Sequence, residues 1–447
     1  MKKSILGIVG IALIAIIYYF TSGSEQLTKD MKERVNTELT MLQKSGFAIQ
    51  NRDIKKSEEH FVILFDDSKK MMSFFKKQGS KVNIEDMEEL KGLKLGVDLK
   101  YLNDTYSALS ADIYPLNLPD SISDEKDLTE KDKQVIKQID EMLARKALLI
   151  HVDFNKLLSS FKGYIKDIDE TFKLESNTKI NIDGMTFEGT IKDDKVNSII
   201  QKIKNVKVQS DDNLTLSLKE LSSDYTLTGK TIYDTTYNYR VKQISAIGKD
   251  GSNSYSMNIT DIKGDNITQV IDSLASNKMS FSVGDIEAVN NDNIVKFADT
   301  IFSFNIDRLD INALKSLENV DVENEAEVNK LIQQLISKGV TMEIPKFEVK
   351  KIEYLGEKMD GFSISSTFKV KDTANIMDIQ KNPFTALQAI DIETKLILSD
   401  TLYTFIAKQP QAMMLVMIAQ PKIINGKKVY ELELKDGKFS INGKSMM

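Results

Sequence analysis

From about residue 175 the sequence settles into a period of two. Leu214, Leu216 and Leu218 alternate with Thr215, Ser217 and Lys219, and Tyr225 with Leu227, Tyr237 with Tyr239 and Val241, and Tyr255 with Met257 and Ile259 keep the same rhythm. Met279, Phe281 and Val283, then Ile301 to Leu309, continue it. Successive side chains of a strand point to opposite faces, so this period gives each strand one apolar and one polar face. The result is a long antiparallel β region, and any fold for the chain has to accommodate it.

The rest of the chain adds helices to that sheet, which makes the expected class α+β, with a β-rich, mainly antiparallel body and interspersed amphipathic helices. Its 447 residues exceed one small domain at ~100–200 residues each. The expected division is a membrane segment over 1–24, an N-terminal α+β domain over 25–155, a central β-rich domain over 156–320 and a C-terminal α+β domain over 321–447. Strand pairs separated by short helices, expected at 194–204, 266–275 and 312–318, suggest a repeated β-rich unit without a strict sequence period.

Within the N-terminal part, Leu27, Met31, Val35, Leu39 and Leu42 recur at helical spacing over 25–45, and Gly46 stops that helix. Phe47 to Gln50 and Phe61 to Phe65 read as strands joined by a charged connection from Asn51 to Glu59. Helices follow at 68–77 and 84–91, then strands at Leu93 to Tyr101 and Tyr106 to Tyr114. Thr129 with Asp132 forms an N-cap pair for a helix carrying Val135, Ile136, Ile139, Met142 and Leu143. The dipeptide Asp183-Gly184 predicts a tight hairpin between Lys179 to Asp183 and Met185 to Ile191.

The last third repeats the style. A helix over 325–336 ends at Gly339, and strands follow over Val340 to Ile344, Lys346 to Tyr354, Gly361 to Lys371 and Leu387 to Leu398. A helix over 399–418 carries a methionine-rich patch, and a closing hairpin turns at Asp436-Gly437.

At the other end, no charge lies between Lys3 and Glu25, and Ile5 to Phe20 is almost wholly apolar. A helix of that length matches a bilayer core, and Lys2 and Lys3 would hold its N-terminus in the cytoplasm. The alternative is a signal peptide cleaved after Gly23. Tyr18-Tyr19-Phe20 suits a membrane interface and favours the anchor. Either way the body is expected outside the cytoplasm, and the anchor reading makes it an inner-membrane, single-pass protein with its bulk in the periplasm.

Chemistry is sparse. Lys+Arg 60 against Asp+Glu 66 gives a net charge of -6, with no basic excess to steer the chain to nucleic acid. With no cysteine, disulfides, thiolate metal sites and cysteine nucleophiles are excluded, and His60 and His151 are the whole histidine complement. No phosphate-binding glycine loop, nucleophile elbow or His-Glu-x-x-His helix is present. The carboxylate pairs Asp66-Asp67, Asp193-Asp194 and Asp211-Asp212 read as solvated turns, and Asp310 with Asn312 lacks the glycine and distal glutamate of a calcium loop. Met413, Met414 and Met417 read first as helix packing and second as part of a groove for an apolar ligand. Tyr225, Tyr233, Tyr237 and Tyr239 read first as cross-strand stabilisers and second as a recognition surface. No catalytic, cofactor or metal site is assigned.

The ordering resembles the YdgA-like family of bacterial envelope proteins, membrane-anchored and of unknown biochemical role. Four passages carry the resemblance: the short N-terminal span followed by a helix and Gly46-Phe-Ala-Ile-Gln-Asn-Arg52; Leu331 to Gly339 leading into Pro345 to Tyr354; Leu387 to Ile406; and Tyr430 to Lys444. The segment Asp53 to His60 departs from it, without the aromatic and glycine-rich turn associated with the family there. The style is similar to that of AsmA-like envelope proteins, which implies a link to lipid handling. The function expected is non-enzymatic: an extracytoplasmic β-rich body that contacts the cytoplasmic membrane through its anchor and binds lipid or an envelope protein. The alternatives are a carboxylate-dependent enzyme acting on an envelope polymer and a secreted, adhesin-like module.

Overall fold

A computed structural model of the chain describes residues 31–446, apart from 78–81, 103–106, 124–127, 174–175, 193–194, 232, 292, 318–319, 321–323, 383 and 410–419. The chain divides into two compact units at Asp224 and Tyr225. The α+β class holds: both units are mainly antiparallel sheet with helices packed on it.

In the N-terminal unit, α1 (Met31–Lys44) leads into β1 (Phe47–Ile54) and β2 (Glu58–Phe65), followed by α2 (Ser68–Lys77) and α3 (Ile84–Leu90). Then come β3 (Lys94–Tyr101), β4 (Ser107–Pro115), α4 (Asp120–Ser123), α5 (Glu130–Ala144), β5 (Ile150–Asn155) and β6 (Ser160–Ile165). The strands β1 to β6 pair in chain order, each antiparallel to the last. Alternation decides the core. Phe61, Ile63 and Phe65 of β2 and Leu95, Val97 and Leu99 of β3 are buried, and α1 adds Val35, Leu39 and Leu42. Phe47 meets Phe65 edge-on at 5.0 Å and Phe74 of α2 at 5.5 Å. Each such side chain contributes ~1.5–3 kcal/mol when fully buried.

The helix ends are specified locally. Asn83 and Thr129 cap α3 and α5, each in a reciprocal capping box with the aspartate three residues on. Gly46 takes φ +96° at the end of α1, and a Cβ there would come within 2.6 Å of the Asp67 carbonyl oxygen. The charged stretch from Asn51 to Glu59 is a correction to the sequence reading. It is mostly ladder, with Asp53 paired to His60 and Arg52 Nε donating to Glu59 Oε1 at 2.6 Å.

The remaining strands of this unit are β7 (Ile168–Lys173), β8 (Asn177–Asp183), β9 (Met185–Lys192), β10 (Lys195–Ser210) and β11 (Leu214–Leu227), within which the division into units falls. Two expectations fail here. Asp183-Gly184 is no hairpin: β8 and β9 follow one another along β10, Asp183 opposite Asn205 and Thr186 opposite Lys202. Gly184 uses its positive φ (+67°) to kink a continuing strand, and its N–H donates to Asp167 Oδ1 at 2.9 Å. The helix expected at 194–204 is β10. Its apolar residues fall three and four apart (Val196, Ile199, Ile200, Ile203) because the strand contains a register shift after Val196, and their β-branched side chains suit a sheet.

The C-terminal unit consists of β12 (Thr235–Asp250), β13 (Asn253–Ile271), β14 (Leu274–Asn290), β15 (Asn293–Asp310), α6 (Ile311–Leu317), α7 (Glu325–Ile336), β16 (Val340–Tyr354) and β17 (Glu357–Val370). After them come α8 (Ile376–Lys381), α9 (Phe384–Ala389), β18 (Ile390–Leu398), α10 (Asp400–Ala407), β19 (Lys422–Ile424), β20 (Lys427–Lys435), β21 (Lys438–Ile441) and β22 (Lys444–Ser445). Strands β12 to β18 pair in order and β20 follows β18. The helix expected at 266–275 is instead the end of β13, a turn and the start of β14. Asp272 and Ser273 take φ 49° and 65°, a tight turn made without glycine. Val340 to Tyr354 is one strand bulged near Pro345. Helix α10 ends at Ala407, and the methionines of the expected patch lie outside the described residues.

The long strands share a device that alternation alone does not predict. In each strand from β12 to β17 the residues on the apolar face step by three instead of two at one shared height: Val241 to Ile244, Ile259 to Ile262, Val283 to Ile286, Phe297 to Thr300, Val349 to Ile352 and Met359 to Phe362. Strands β15 and β16 carry separate bulges elsewhere, between Ile306 and Leu309 and near Pro345. The breaks are in register. Backbone pairing holds on both sides but skips the row Lys242, Asp261, Gly284, Asp299, Lys350, Gly361. Asp261 and Asp299 adopt φ 52° in that row. One extra residue per strand moves the apolar set from odd to even positions, as a bulge does, but here at the same height in every strand. The N-terminal unit repeats it on a smaller scale, with Ile165 to Ile168, Ile182 to Met185 and Ile203 to Val206.

Candidate apolar binding face

The breaks keep most apolar residues of the long strands on one side of the sheet, with Ile247, Ile267, Ile294 and Ile301 on the other. Helix α10 shows this directly. It packs against Ile352 and Met359 from below the break and against Phe362, Leu396 and Leu398 from above it, and its Phe405 meets Tyr354 edge-on at 6.1 Å. Had alternation run unbroken, those two sets would face opposite ways.

Two cross-strand rows lie just above the break. One runs Val241, Ile262, Val283, Thr300, Val349, Phe362, Leu398; the other runs Tyr239, Gly264, Phe281, Phe302, Phe347, Ile364, Leu396. Phe347 links the rings, edge-on to Phe302 at 6.0 Å and to Phe362 at 5.2 Å. Below the break the same face continues through Ile244, Ile259, Ile286, Phe297 and Ile352. Two glycines are covered by the ring directly opposite. Tyr239 lies over Gly264 and Tyr255 over Gly248, where an added Cβ would stand 2.2 and 2.1 Å from the ring. The opposite face is mainly charged, although Ile247 and Ile267 are exposed on it: Lys296 reaches Asp285 at 3.3 Å and Glu287 at 3.7 Å, and Lys358 reaches Glu353 at 3.8 Å.

Cover on the apolar face is uneven. Around α10 it is closed, with Met359, Leu398 and Leu402 buried. Burial and the neighbouring Tyr403 hydroxyl push the Tyr430 phenol up to about 12 there. Toward β12 to β14 the face opens, and Tyr237, Tyr255, Met257 and Met279 are 40%, 45%, 41% and 38% exposed. Six strands at ~4.8 Å spacing make the face about 24 Å wide, more than the ~15 Å of one bilayer leaflet's hydrocarbon.

The residues singled out in the sequence are distributed otherwise. Tyr237 and Tyr239 lie side by side on this face at 6.0 Å. Tyr233 stands near the Lys315 ammonium. Asp67 caps the start of α2, and its hydrogen bonds with Lys70 hold the carboxyl below the usual carboxylate range. Asp211 closes a turn by accepting from Asn177, and Asp310 accepts from the amides of Asn312 and Ala313 to start α6. Asp193 and Asp194 lie outside the described residues.

The histidines have partners that sequence spacing could not reveal. His60, Asp98, Asp112, His151 and Tyr164 form one cross-strand row on the face of the N-terminal sheet away from Phe61 and Val97. His60 Nδ1 lies 2.6 Å from Asp98 Oδ1, and Lys146 Nζ lies 2.9 Å from Asp98 Oδ2 and 3.7 Å above the Tyr114 ring. Burial pushes the Asp98 carboxyl up, but hydrogen bonds from Lys146, His60 and Tyr114 outweigh it and leave the group below its ordinary value. His151 Nδ1 and Nε2 lie 2.6 Å from Asp112 and 3.3 Å from Asp153. Among the described residues no group of three or more acidic or histidine side chains is placed to hold a metal ion. Among them, too, no helix is long and apolar enough to cross a membrane, and the span expected over 5–20 lies outside them. No family model, curated protein or solved structure matches the chain.

Proposed function

We infer that this is a non-enzymatic, membrane-anchored protein of the bacterial envelope, held in the inner membrane by residues 5–20, whose extracytoplasmic body binds lipid on the apolar face of its C-terminal sheet. The observation that carries the reading is the row of aligned breaks. A sheet that merely needed one packed side has no use for keeping six strands apolar on the same side past a common interruption and then leaving Tyr237, Tyr255, Met257 and Met279 exposed. Methionines and tyrosines adapt to flexible apolar partners, and the charged reverse face keeps such a sheet soluble. The use of Asp67, Asp211 and Asp310 in caps and turns supports binding over carboxylate catalysis.

The test is mass spectrometry of lipids carried by a chain beginning at Glu25, exported to the periplasm and purified without detergent. A phospholipid present at about one per chain after gel filtration is the expected result. Lipid no higher than on a control protein handled identically contradicts the reading.

A further inference from the structure

The reverse face of the N-terminal sheet carries a second, polar site. Where β5, β6, β9 and β10 pair, one face is core: Val152, Phe154 and Phe161 are buried, with Phe187 and Ile199 packed against them. The other face holds two adjoining cavities, of about 670 and 330 Å³, which share Asp153, Lys162, Glu188 and Ile200.

These shared residues are one cross-strand row, Asp153 opposite Lys162, Lys162 opposite Glu188, and Glu188 opposite Ile200. Opposite charges placed directly across strands ordinarily pair. Here Lys162 makes no ion pair with either neighbour, and neither Glu188 nor Lys202 makes one with any described residue. On one side of this row lies a line of hydroxyls, Ser160, Thr190 and Ser198, with Thr190 and Ser198 hydrogen-bonded at 2.7 Å. On the other side Tyr164, 45% exposed, stacks on His151 at 4.9 Å.

We propose that this trough binds a neutral glycan chain. The trough mixes both signs, Lys156, Lys162 and Lys202 with Asp153 and Glu188, and Asp153 lies 3.3 Å from His151 Nε2, so it offers neither an anion nor a cation a surface of purely opposite charge. It offers donors, acceptors and hydroxyls in rows on a flat sheet, and hydroxyls of a sugar both donate and accept. Tyr164 supplies the ring face against which the apolar side of a pyranose lies, held in place by His151 behind it. Ile200 closes the end of the charged row with an apolar contact.

The test uses the full chain in detergent micelles and three neutral tetrasaccharides, of β-1,4-linked glucose, β-1,4-linked N-acetylglucosamine and α-1,4-linked glucose, titrated by calorimetry and by saturation-transfer NMR. At least one is expected to bind, and Y164A and E188Q are each expected to weaken it about tenfold, as loss of a stacking or charged hydrogen-bonding group does. M257E, a change on the lipid face, leaves glycan binding unaltered, so failure of this site and failure of the lipid reading are told apart. The proposal is overturned if none of the three binds at millimolar concentration to chain whose circular dichroism is native. It is equally overturned if binding survives both Y164A and E188Q unchanged, or if inositol phosphates bind and the sugars do not.

Discussion

The sheet around Phe61 and the sheet around Phe302 are both antiparallel and both apolar on one side, yet they use that side differently. Around Phe61 the strands are short and carry no break shared across the sheet, helices α1 to α3 cover them, and the apolar residues are wholly buried. Around Phe302 the strands run to as many as 19 residues, share one aligned break, and leave most apolar residues only half-buried. Complete burial is what stability requires, since stabilisation follows the area removed from water. Half-burial held in order by an aligned break gives a surface that is organised but not used up. The first region holds the fold, and the second is the one proposed to hold lipid.

The contrast can be broken by substitution. The largest effect falls in the closed core: Phe61→Ala, at a fully buried site, costs about 3–5 kcal/mol in urea unfolding, whereas Phe302→Ala costs about half as much. Equal losses would mean that the two sheets do not differ in the way described. Next comes the break itself. A Cβ at Gly361 would lie 1.8 Å from the Val349 carbonyl oxygen, but at Gly284 its nearest neighbour would be 3.1 Å away. Gly361→Ala therefore destabilises by about 1–3 kcal/mol and Gly284→Ala by clearly less, as thermal unfolding will read. Comparable melting temperatures would argue that the break is loose.

Titration gives smaller effects of opposite direction in the two regions. Asp98 lies below its ordinary 3.8 in the folded chain, so its contribution is present above that value and is lost as pH falls through the folded pKa. Asp98→Asn should flatten the acid limb of stability below about pH 4. Tyr430 lies raised from 10.0 to about 12, so its contribution is present below pH 10 and is lost as pH rises toward 12. Tyr430→Phe should flatten the alkaline limb, followed by near-ultraviolet dichroism, and leave the acid limb alone. Lys146 and Tyr114, also raised, keep part of the alkaline loss in the N-terminal unit.

Much of this fold was legible in the sequence, and the failures share one cause. Alternation located stretches of each strand from β12 to β15, though not the end of β13 or the start of β14, and the pattern Thr129 with Asp132 located the start of α5. The aligned breaks were also written there, as steps of three such as Val283 to Ile286, but a step of three inside a strand looks like a helical interval. That is why β10, with Val196, Ile199 and Ile203, read as a helix. Gly184 read as a hairpin because a positive-φ glycine marks a turn more often than a kink. The histidine row and the trough were not legible at all, since the residues opposite His60 and His151 are set by strand register, at separations of 38 and 39 positions in the chain.

The central claim is that lipid occupies the open part of the creased face. Photocrosslinking tests it most directly, using the full chain in the membrane and a phosphatidylcholine carrying a diazirine near the end of one acyl chain, with adducts mapped by peptide mass spectrometry. The account predicts adducts on the apolar rows of β12 to β14, at Tyr237, Tyr255, Met257 and Met279, and their loss in the Met257→Glu, Met279→Glu double variant. Adducts confined to residues 5–20, or spread over the charged reverse face around Lys296, would contradict it.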